Sequence, residues 1–163
     1  MSAAPGFRRI SAAPSSAPDP NTVILLDTNV LSELARAMPE PNVLAWAETI
    51  PVTDLCTTVI TEAELRFGLA LLPSGRRRVL LAQAVETVLA TVVQQRVLPF
   101  DRAAARAYAD LASARRRRGR PVDTADLQIQ AIGLAHGVAA IATRNTSDFA
   151  DCGTPIVNPW QPS

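Results

Sequence analysis

The stretch Val23-Ile-Leu-Leu-Asp27-Thr-Asn29 decides the fold of this 163-residue chain. Its four apolar residues show no polar alternation, which predicts a strand buried on both faces, as in a parallel sheet. Asp27 ends this strand, and a helix is predicted over Val30–Ala37. A strand followed directly by a helix is the repeating unit of an α/β domain.

The same pattern continues along the chain. Further strands are predicted over residues 54–60, 97–100, 138–142 and 155–158. Further helices are predicted from Asn42 to Thr49, Thr61 to Leu72, Arg76 to Gln94, Asp101 to Arg118, and Ala125 to Ala135. The alternation predicts a three-layer α/β/α sandwich with a mostly parallel central sheet over residues 22–163. Residues 1–21 are rich in Pro, Ser and Ala, and are predicted to be a disordered N-terminal extension.

Acidic residues follow four short apolar stretches, and they are Asp27, Glu64, Asp126 and Asp148. The carboxyl ends of parallel strands share one edge of the sheet, so these side chains are expected to converge there. Converging carboxylates repel one another unless a cation lies between them. Mg²⁺ and Mn²⁺ prefer oxygen ligands, and such an ion activates water and neutralises charge on a phosphodiester. The predicted chemistry is metal-dependent phosphodiester hydrolysis.

These acids also have purely structural interpretations. Asp27 can cap the helix that follows it. Thr61-x-x-Glu64 matches a capping box, in which Glu64 bonds back to a backbone N–H. Asp123 can cap the helix whose first turn contains Asp126, and an acid there is stabilised by the helix dipole. Both interpretations stay open at the level of sequence.

Composition argues against several other functions. His136 is the single histidine and is predicted to end a helix, and Cys56 and Cys152 lie far apart. A Cys/His zinc site therefore lacks ligands, and a reducing, cytoplasmic setting is predicted. No apolar run reaches the roughly 20 residues that span a bilayer, so no membrane association is expected. No Gly-x-Gly-x-x-Gly follows the first strand, and Asn29 stands where an aspartyl phosphatase would use a second acid.

The basic residues are all arginines, 16 in number, and the formal net charge is only +1. The densest run is Arg115–Arg118 with Arg120. It is interpreted as a solvated helix end, as a track that guides RNA phosphates toward Asp126, or as both. A second run, Arg76–Arg78, begins a predicted helix, where cations are unfavourable, so a partner or an acidic neighbour is expected.

Five stretches carry a family resemblance, and they are Asp27-Thr-Asn-Val-Leu, Thr61-x-x-Glu64-Leu-Arg-Phe-Gly68, Pro121-Val-x-x-x-Asp126, Thr143-Arg-Asn-x-x-Asp148-Phe and Val157-Asn-Pro-Trp160. In order and spacing they resemble the PIN-domain ribonucleases, especially the VapC/FitB-like toxins of bacterial toxin–antitoxin pairs. The resemblance implies a Mg²⁺- or Mn²⁺-dependent endoribonuclease that selects single-stranded RNA. It also implies a cognate antitoxin that holds the enzyme inactive, a homodimer, and a heteromeric complex with the antitoxin.

The resemblance also assigns roles by position. Asp27 and Asp126 are the implied principal metal ligands, Glu64 helps to bind metal or activate water, and Asp148 completes the acidic pocket. The implied supporting polar groups are Thr28, Asn29 and Thr143.

Two positions depart from the pattern of that family. Leu127-Gln-Ile-Gln130 replaces a more common small, apolar Ile-Ala-Ala, which affects the packing of that helix. Some relatives place the fourth acid where Asn145 stands, so either Asp148 or Asn145 completes the site. The alternative function is a non-catalytic α/β interaction module that binds a partner protein or nucleic acid and merely retains its carboxylates.

Overall fold

The protein contains a five-stranded parallel sheet with helices on both faces. The structure is a computed structural model that describes residues 22–120 and 122–161. The strands are β1 (Ile24–Leu26), β2 (Leu55–Thr58), β3 (Val97–Leu98), β4 (Ala140–Ala142) and β5 (Ile156–Val157). The helices are α1 (Thr28–Leu34), α2 (Pro41–Glu48), α3 (Val59–Leu71), α4 (Arg76–Thr91), α5 (Arg102–Arg117), α6 (Thr124–Ala135) and α7 (Thr146–Phe149), with a short 3-10 helix at Val52–Asp54. The predicted extension, residues 1–21, lies outside the described residues.

The strand order is β3-β2-β1-β4-β5, with β1 at the centre of the sheet. Ile24 of β1 pairs with Leu55 on one side and Ala140 on the other, both in parallel. The chain leaves β1 toward β2 and later returns to the opposite side as β4. Such a reversal opens a crevice at the carboxyl ends of β1 and β4, where α/β proteins bind ligands.

Successive residues of β1 face opposite layers, as the two-residue period of a strand requires. Leu26 packs in a cluster that includes residues of α1 to α4. Leu25 packs with Ile129 of α6 and Phe149 of α7 on the other face. The predicted three-layer sandwich and parallel sheet are therefore confirmed.

Asp101 and Asp123 cap the helices that follow them, whereas Asn42 does not cap α2. Asp101 Oδ1 accepts the Ala104 N–H at 2.9 Å, and Asp123 Oδ1 accepts the Ala125 N–H at 2.8 Å, so these aspartates begin α5 and α6. The predicted cap Asn42 lies inside α2, which begins at Pro41 because proline is pre-shaped for a first helical position. Helix α4 begins at Arg76, as predicted, and Gly75 precedes it.

Several elements differ from prediction in length. Strand β2 spans Leu55–Thr58 rather than 54–60, and β4 spans Ala140–Ala142 rather than 138–142. Helix α4 ends at Thr91, before Gln94 and Gln95, whose positive φ values of 49° and 59° are incompatible with a right-handed helix. Helix α1 occupies Thr28–Leu34 instead of 30–37. Within the described residues, no helix is long and apolar enough to cross a membrane.

Candidate active site

Asp27 lies at the centre of the crevice, directly after β1, and is only 2% exposed. Its Oδ1 accepts the Thr28 N–H at 2.7 Å. Its Oδ2 accepts the Thr143 hydroxyl and the Asn29 side-chain amide, both at 2.7 Å. Burial raises the pKa of Asp27 above its usual value, the hydrogen bonds counteract this, and the negative charge of Glu64 adds to the rise. Asp27 thus caps α1 and also presents a fixed carboxylate at the crevice.

Glu64 faces the same crevice from α3, and the capping-box interpretation of this residue is wrong. Helix α3 begins at Val59, and its cap is Thr58, whose Oγ1 accepts the Thr61 N–H at 3.0 Å. Glu64 is therefore well inside the helix and has no orphan backbone N–H to bind. Its Oε2 instead accepts the hydroxyl of Thr28.

Asp126 enters the crevice from the first turn of α6. Its pKa is raised to about 6, first by burial and then by the negative charges of Asp27, Asp123, Glu64 and Asp148. The charges of three other predicted site residues therefore act on this one side chain. We call Asp27, Glu64, Asp126 and Asp148 the acidic group.

Asp148 and Asn145 both reach the group, so the sequence alternatives are not exclusive. Asn145 Nδ2 donates to Asp148 Oδ2 at 2.7 Å and makes a longer contact with Asp126 Oδ2 at 3.4 Å. The backbone N–H of Asn145 donates to the Thr143 hydroxyl at 3.0 Å, which links this loop to Asp27. Asp148 was predicted in a loop, but it belongs to the one-turn helix α7.

Two further residues, Arg115 and Gln130, contact this part of the site and were not predicted to do so. Arg115 is buried, and its Nη2 donates to the Asp148 carbonyl at 3.1 Å and to the Ala150 carbonyl. Gln130 Nε2 donates to the same Asp148 carbonyl at 3.0 Å. A glutamine one turn after Asp126, in an apolar helix, was the available sequence signal, because a buried amide needs partners.

The remaining basic residues divide between the surface and the rim of the site. Arg115 was predicted to lie in a solvated run, and its burial corrects that prediction, whereas Arg116–Arg118 and Arg120 are exposed. Arg144 follows Thr143 directly, and its guanidinium stacks on the Trp160 ring at 5.0 Å. Among the ion pairs of the described residues, none involves Arg76–Arg78, so the acidic neighbour expected there is not found.

His136 and the cysteines take no part in the acidic group. The His136 ring lies 3.2 Å from the Pro99 carbonyl and 3.6 Å from Asp101, at the opposite end of α6 from Asp126. Burial raises the pKa of the Cys56 thiol to about 12. The acids and their hydrogen-bond donors are therefore the groups available for chemistry in the crevice.

The side chains of this group fit a hard divalent cation in their chemistry, because carboxylate oxygens are the ligands that such a cation prefers. In the part of the chain that the structure describes, no three His, Cys, Asp or Glu side chains are already grouped closely enough to hold a metal ion. These carboxylates instead accept hydrogen bonds, from the Thr28 hydroxyl to Glu64 and from the Asn145 amide to Asp126 and Asp148. A cation would replace these donors.

Comparison with known proteins places these features in one family. The PIN domain family model matches residues 24–153. "VapC ribonuclease Y4jK" of Sinorhizobium fredii is 45% identical over 141 residues, which cover 86% of this chain and 100% of that protein. "Toxin FitB" of Neisseria gonorrhoeae is 37% identical over 138 residues, 85% of this chain and 99% of that protein. A solved structure of FitAB bound to an IR36 DNA fragment superposes with a TM-score of 0.78 at 35% identity, covering 86% of this chain and 98% of that one.

Proposed function

This chain belongs to the PIN domain family, and we propose that it is a Mg²⁺- or Mn²⁺-dependent endoribonuclease, the toxin of a toxin–antitoxin pair. The observation that supports the activity is the acidic group at the carboxyl edge of the sheet, where burial and the negative charges of Asp27, Asp123, Glu64 and Asp148 raise the pKa of Asp126 to about 6. The name of the Sinorhizobium relative, a VapC ribonuclease, supports the reaction class. We expect the protein to act in the cytoplasm.

Each acid has a role in this proposal. Asp27 and Asp126 would hold the metal as principal ligands, and Glu64 and Asp148 would complete the negative pocket. When bound, Mg²⁺ or Mn²⁺ activates a water molecule and neutralises charge on the scissile phosphodiester. Asp27 is pre-oriented for this task, because the hydrogen bonds from Thr143 and Asn29 fix its carboxylate before the cation arrives.

Binding of RNA requires positive charge around this negative pocket. Arg144 is linked to Asp27 through Asn29, because its backbone N–H donates to Asn29 Oδ1 at 3.0 Å and the Asn29 amide donates to Asp27 Oδ2. Stacking on Trp160 restricts the Arg144 guanidinium, which lowers the entropy cost of a phosphate contact. The exposed arginines at the end of α5 extend the positive surface, and the phosphates of single-stranded RNA are the expected ligands.

A protein partner is supported by the surface of α3 and α4. Phe67 and Leu71 of α3 are exposed, as are Val79 and Leu80 of α4, and exposed apolar side chains of this size favour burial in an interface. The Neisseria relative is named the toxin FitB and the matched solved structure is of FitAB, which supports a cognate antitoxin for this chain. We propose a homodimer that binds this antitoxin in a heteromeric, inactive complex. A small reading frame beside the gene is the expected source of the antitoxin.

Cleavage of single-stranded RNA by protein purified without its antitoxin tests the proposed activity. Wild-type protein should cleave in Mg²⁺ or Mn²⁺ and lose activity in EDTA. Asp126→Asn should reduce the cleavage rate by at least about a hundredfold, because one principal ligand loses its charge. The matched control is Asp110→Asn, an exposed acid on α5, which should cleave like the wild type. Metal-independent cleavage, or full activity of Asp126→Asn, would contradict the proposal and favour a non-catalytic interaction module.

A further inference from the structure

We propose that Arg115 and Gln130 are positioning residues that hold α7 so that Asp148 and Asn145 face Asp126. The inference rests on the proposed function, because it concerns the same acidic site. It gives a role to two buried polar side chains that are not themselves part of the acidic group.

The two side chains converge on a single backbone oxygen. Gln130, which is 0% exposed, donates from Nε2 to the Asp148 carbonyl at 3.0 Å. Arg115, 6% exposed, donates from Nη2 to that carbonyl at 3.1 Å and also to the Ala150 carbonyl. Both acceptor sites of the Asp148 carbonyl are therefore occupied. We call this arrangement the Asp148 clamp.

Helix α7 needs such support because it contains only four residues. One helical turn is unstable alone, since fixing its backbone yields too few hydrogen bonds. Its last carbonyls have no partners within the helix, and a cation near them is favourable. Phe149 is fully buried and anchors the turn, but an apolar anchor does not set the direction of the neighbouring Asp148 carboxylate. The clamp supplies the missing directional bonds.

The clamp is linked to the reacting groups through Asn145. Asn145 Nδ2 donates to Asp148 Oδ2 at 2.7 Å and reaches Asp126 Oδ2 at 3.4 Å. Gln130 lies one turn after Asp126 on α6. Helix α6 therefore presents Asp126 and also supports α7, which carries Asp148.

Global stability alone does not account for Gln130. Its Oε1 is buried and has no hydrogen-bond partner among the described residues. A buried amide with one unpaired end is a poor stabiliser compared with an apolar side chain of similar volume. The half of the amide that is paired is the half that binds Asp148.

The test compares the variants Gln130→Met and Gln128→Met. Gln128 is a less buried glutamine on the same helix, so its substitution serves as the matched control. Hydrogen exchange of the backbone amides of residues 145–150 is measured on the metal-free protein. We expect exchange there to be roughly tenfold faster in Gln130→Met, with the global unfolding midpoint unchanged or higher. Arg115→Lys, which keeps the charge but loses the fork geometry, should accelerate the same amides. Equal exchange in Gln130→Met and Gln128→Met overturns the inference.

A double-mutant cycle with Asp148→Asn then tests whether the clamp acts through Asp148. Gln130→Met alone should lower kcat roughly tenfold and leave KM for RNA unchanged, because substrate contacts persist. In the Asp148→Asn background the same substitution should have no further effect. Additive losses would mean a merely structural role. Absence of metal-dependent cleavage in the wild type would overturn the proposed function, and hydrogen exchange would still decide on the clamp.

Discussion

Replacing Asp126 by Asn is expected to stabilise the metal-free protein at neutral pH while abolishing RNA cleavage. Burial and the charges of Asp27, Asp123, Glu64 and Asp148 raise the pKa of Asp126 from 3.8 to about 6. Between these two values the unfolded chain binds fewer protons at this site than the folded protein. The free energy of unfolding therefore falls as the pH rises through this window, and the loss persists above it. Asn keeps the shape of the side chain and removes the charge.

The expected magnitude follows from this shift. A rise of about two pKa units corresponds to about 3 kcal/mol, since each unit is worth about 1.4 kcal/mol. Asp126 is partly exposed, and solvent screening reduces this figure by about half. The carboxylate also gains about 0.5 kcal/mol from the N-terminal dipole of α6, which Asn forfeits. The net gain for Asp126→Asn is about 1 kcal/mol at neutral pH.

Urea unfolding in EDTA measures this gain, with Asp110→Asn as the surface control. At about pH 7.5 Asp126→Asn should be more stable than the wild type by about 1 kcal/mol, and this advantage should disappear at about pH 3, below the unfolded pKa of Asp126. Excess Mg²⁺ should reverse the order at neutral pH, because it stabilises only a folded protein that binds it. Equal or lower stability of Asp126→Asn at neutral pH in EDTA would refute the proposed repulsion.

Three other predictions concern the surroundings of the acids. Thr143→Val removes the hydroxyl that donates to Asp27 and should lower the affinity for Mn²⁺ roughly tenfold, as measured by calorimetry. The control Thr91→Val loses only an exposed hydrogen bond within α4 and should leave that affinity unchanged. Equal affinities in the two variants would contradict a role of Thr143 in orienting Asp27. Arg144→Met, made in an Asp126→Asn background, should weaken binding of single-stranded RNA, as measured by fluorescence anisotropy. The slope of log affinity against log salt concentration should become shallower by about 0.7, and an unchanged slope would exclude a phosphate contact. Mn²⁺ binding should weaken as the pH falls through about 6, because protons then compete with the metal for Asp126. Calorimetry in buffers of different ionisation enthalpy should detect the proton that Mn²⁺ binding releases. An affinity that does not change with pH would argue against Asp126 as a ligand.

The sheet was predictable because it depends on local composition. Short apolar runs such as Val23–Leu26 show no alternation, and that property identifies strands covered on both faces. Asp101 and Asp123 were recognisable as caps, since each precedes a long helical pattern. The position of Asp27 at the edge of the sheet followed from parallel topology, which places the ends of successive strands at one edge.

Element ends were less predictable, because neighbouring residues compete for the same role. Thr58 and Thr61 are both good caps, and only the sheet decides between them: β2 ends at Thr58, so the helix begins there and Glu64 turns toward Thr28. Asn42 has the chemistry of a cap, but Pro41 already begins α2, which leaves the Asn42 amide free to donate to the Trp160 carbonyl at 3.3 Å.

The clamp on Asp148 was not predictable from local pattern. Arg115 lies in a run of arginines that is otherwise exposed, and only the position of α7 against α5 and α6 buries it. A one-turn helix such as α7 also has too few residues to show helical periodicity. Tertiary contacts between segments far apart in sequence determine both features.

Diffraction from crystals of the antitoxin-free protein soaked in Mn²⁺ tests the central claim most directly, because the anomalous scattering of Mn²⁺ locates the ion independently of the protein atoms. The account predicts a strong anomalous peak in contact with carboxylate oxygens of both Asp27 and Asp126. An empty crevice at saturating Mn²⁺, with these two carboxylates still bound only to their present hydrogen-bond donors, would contradict it.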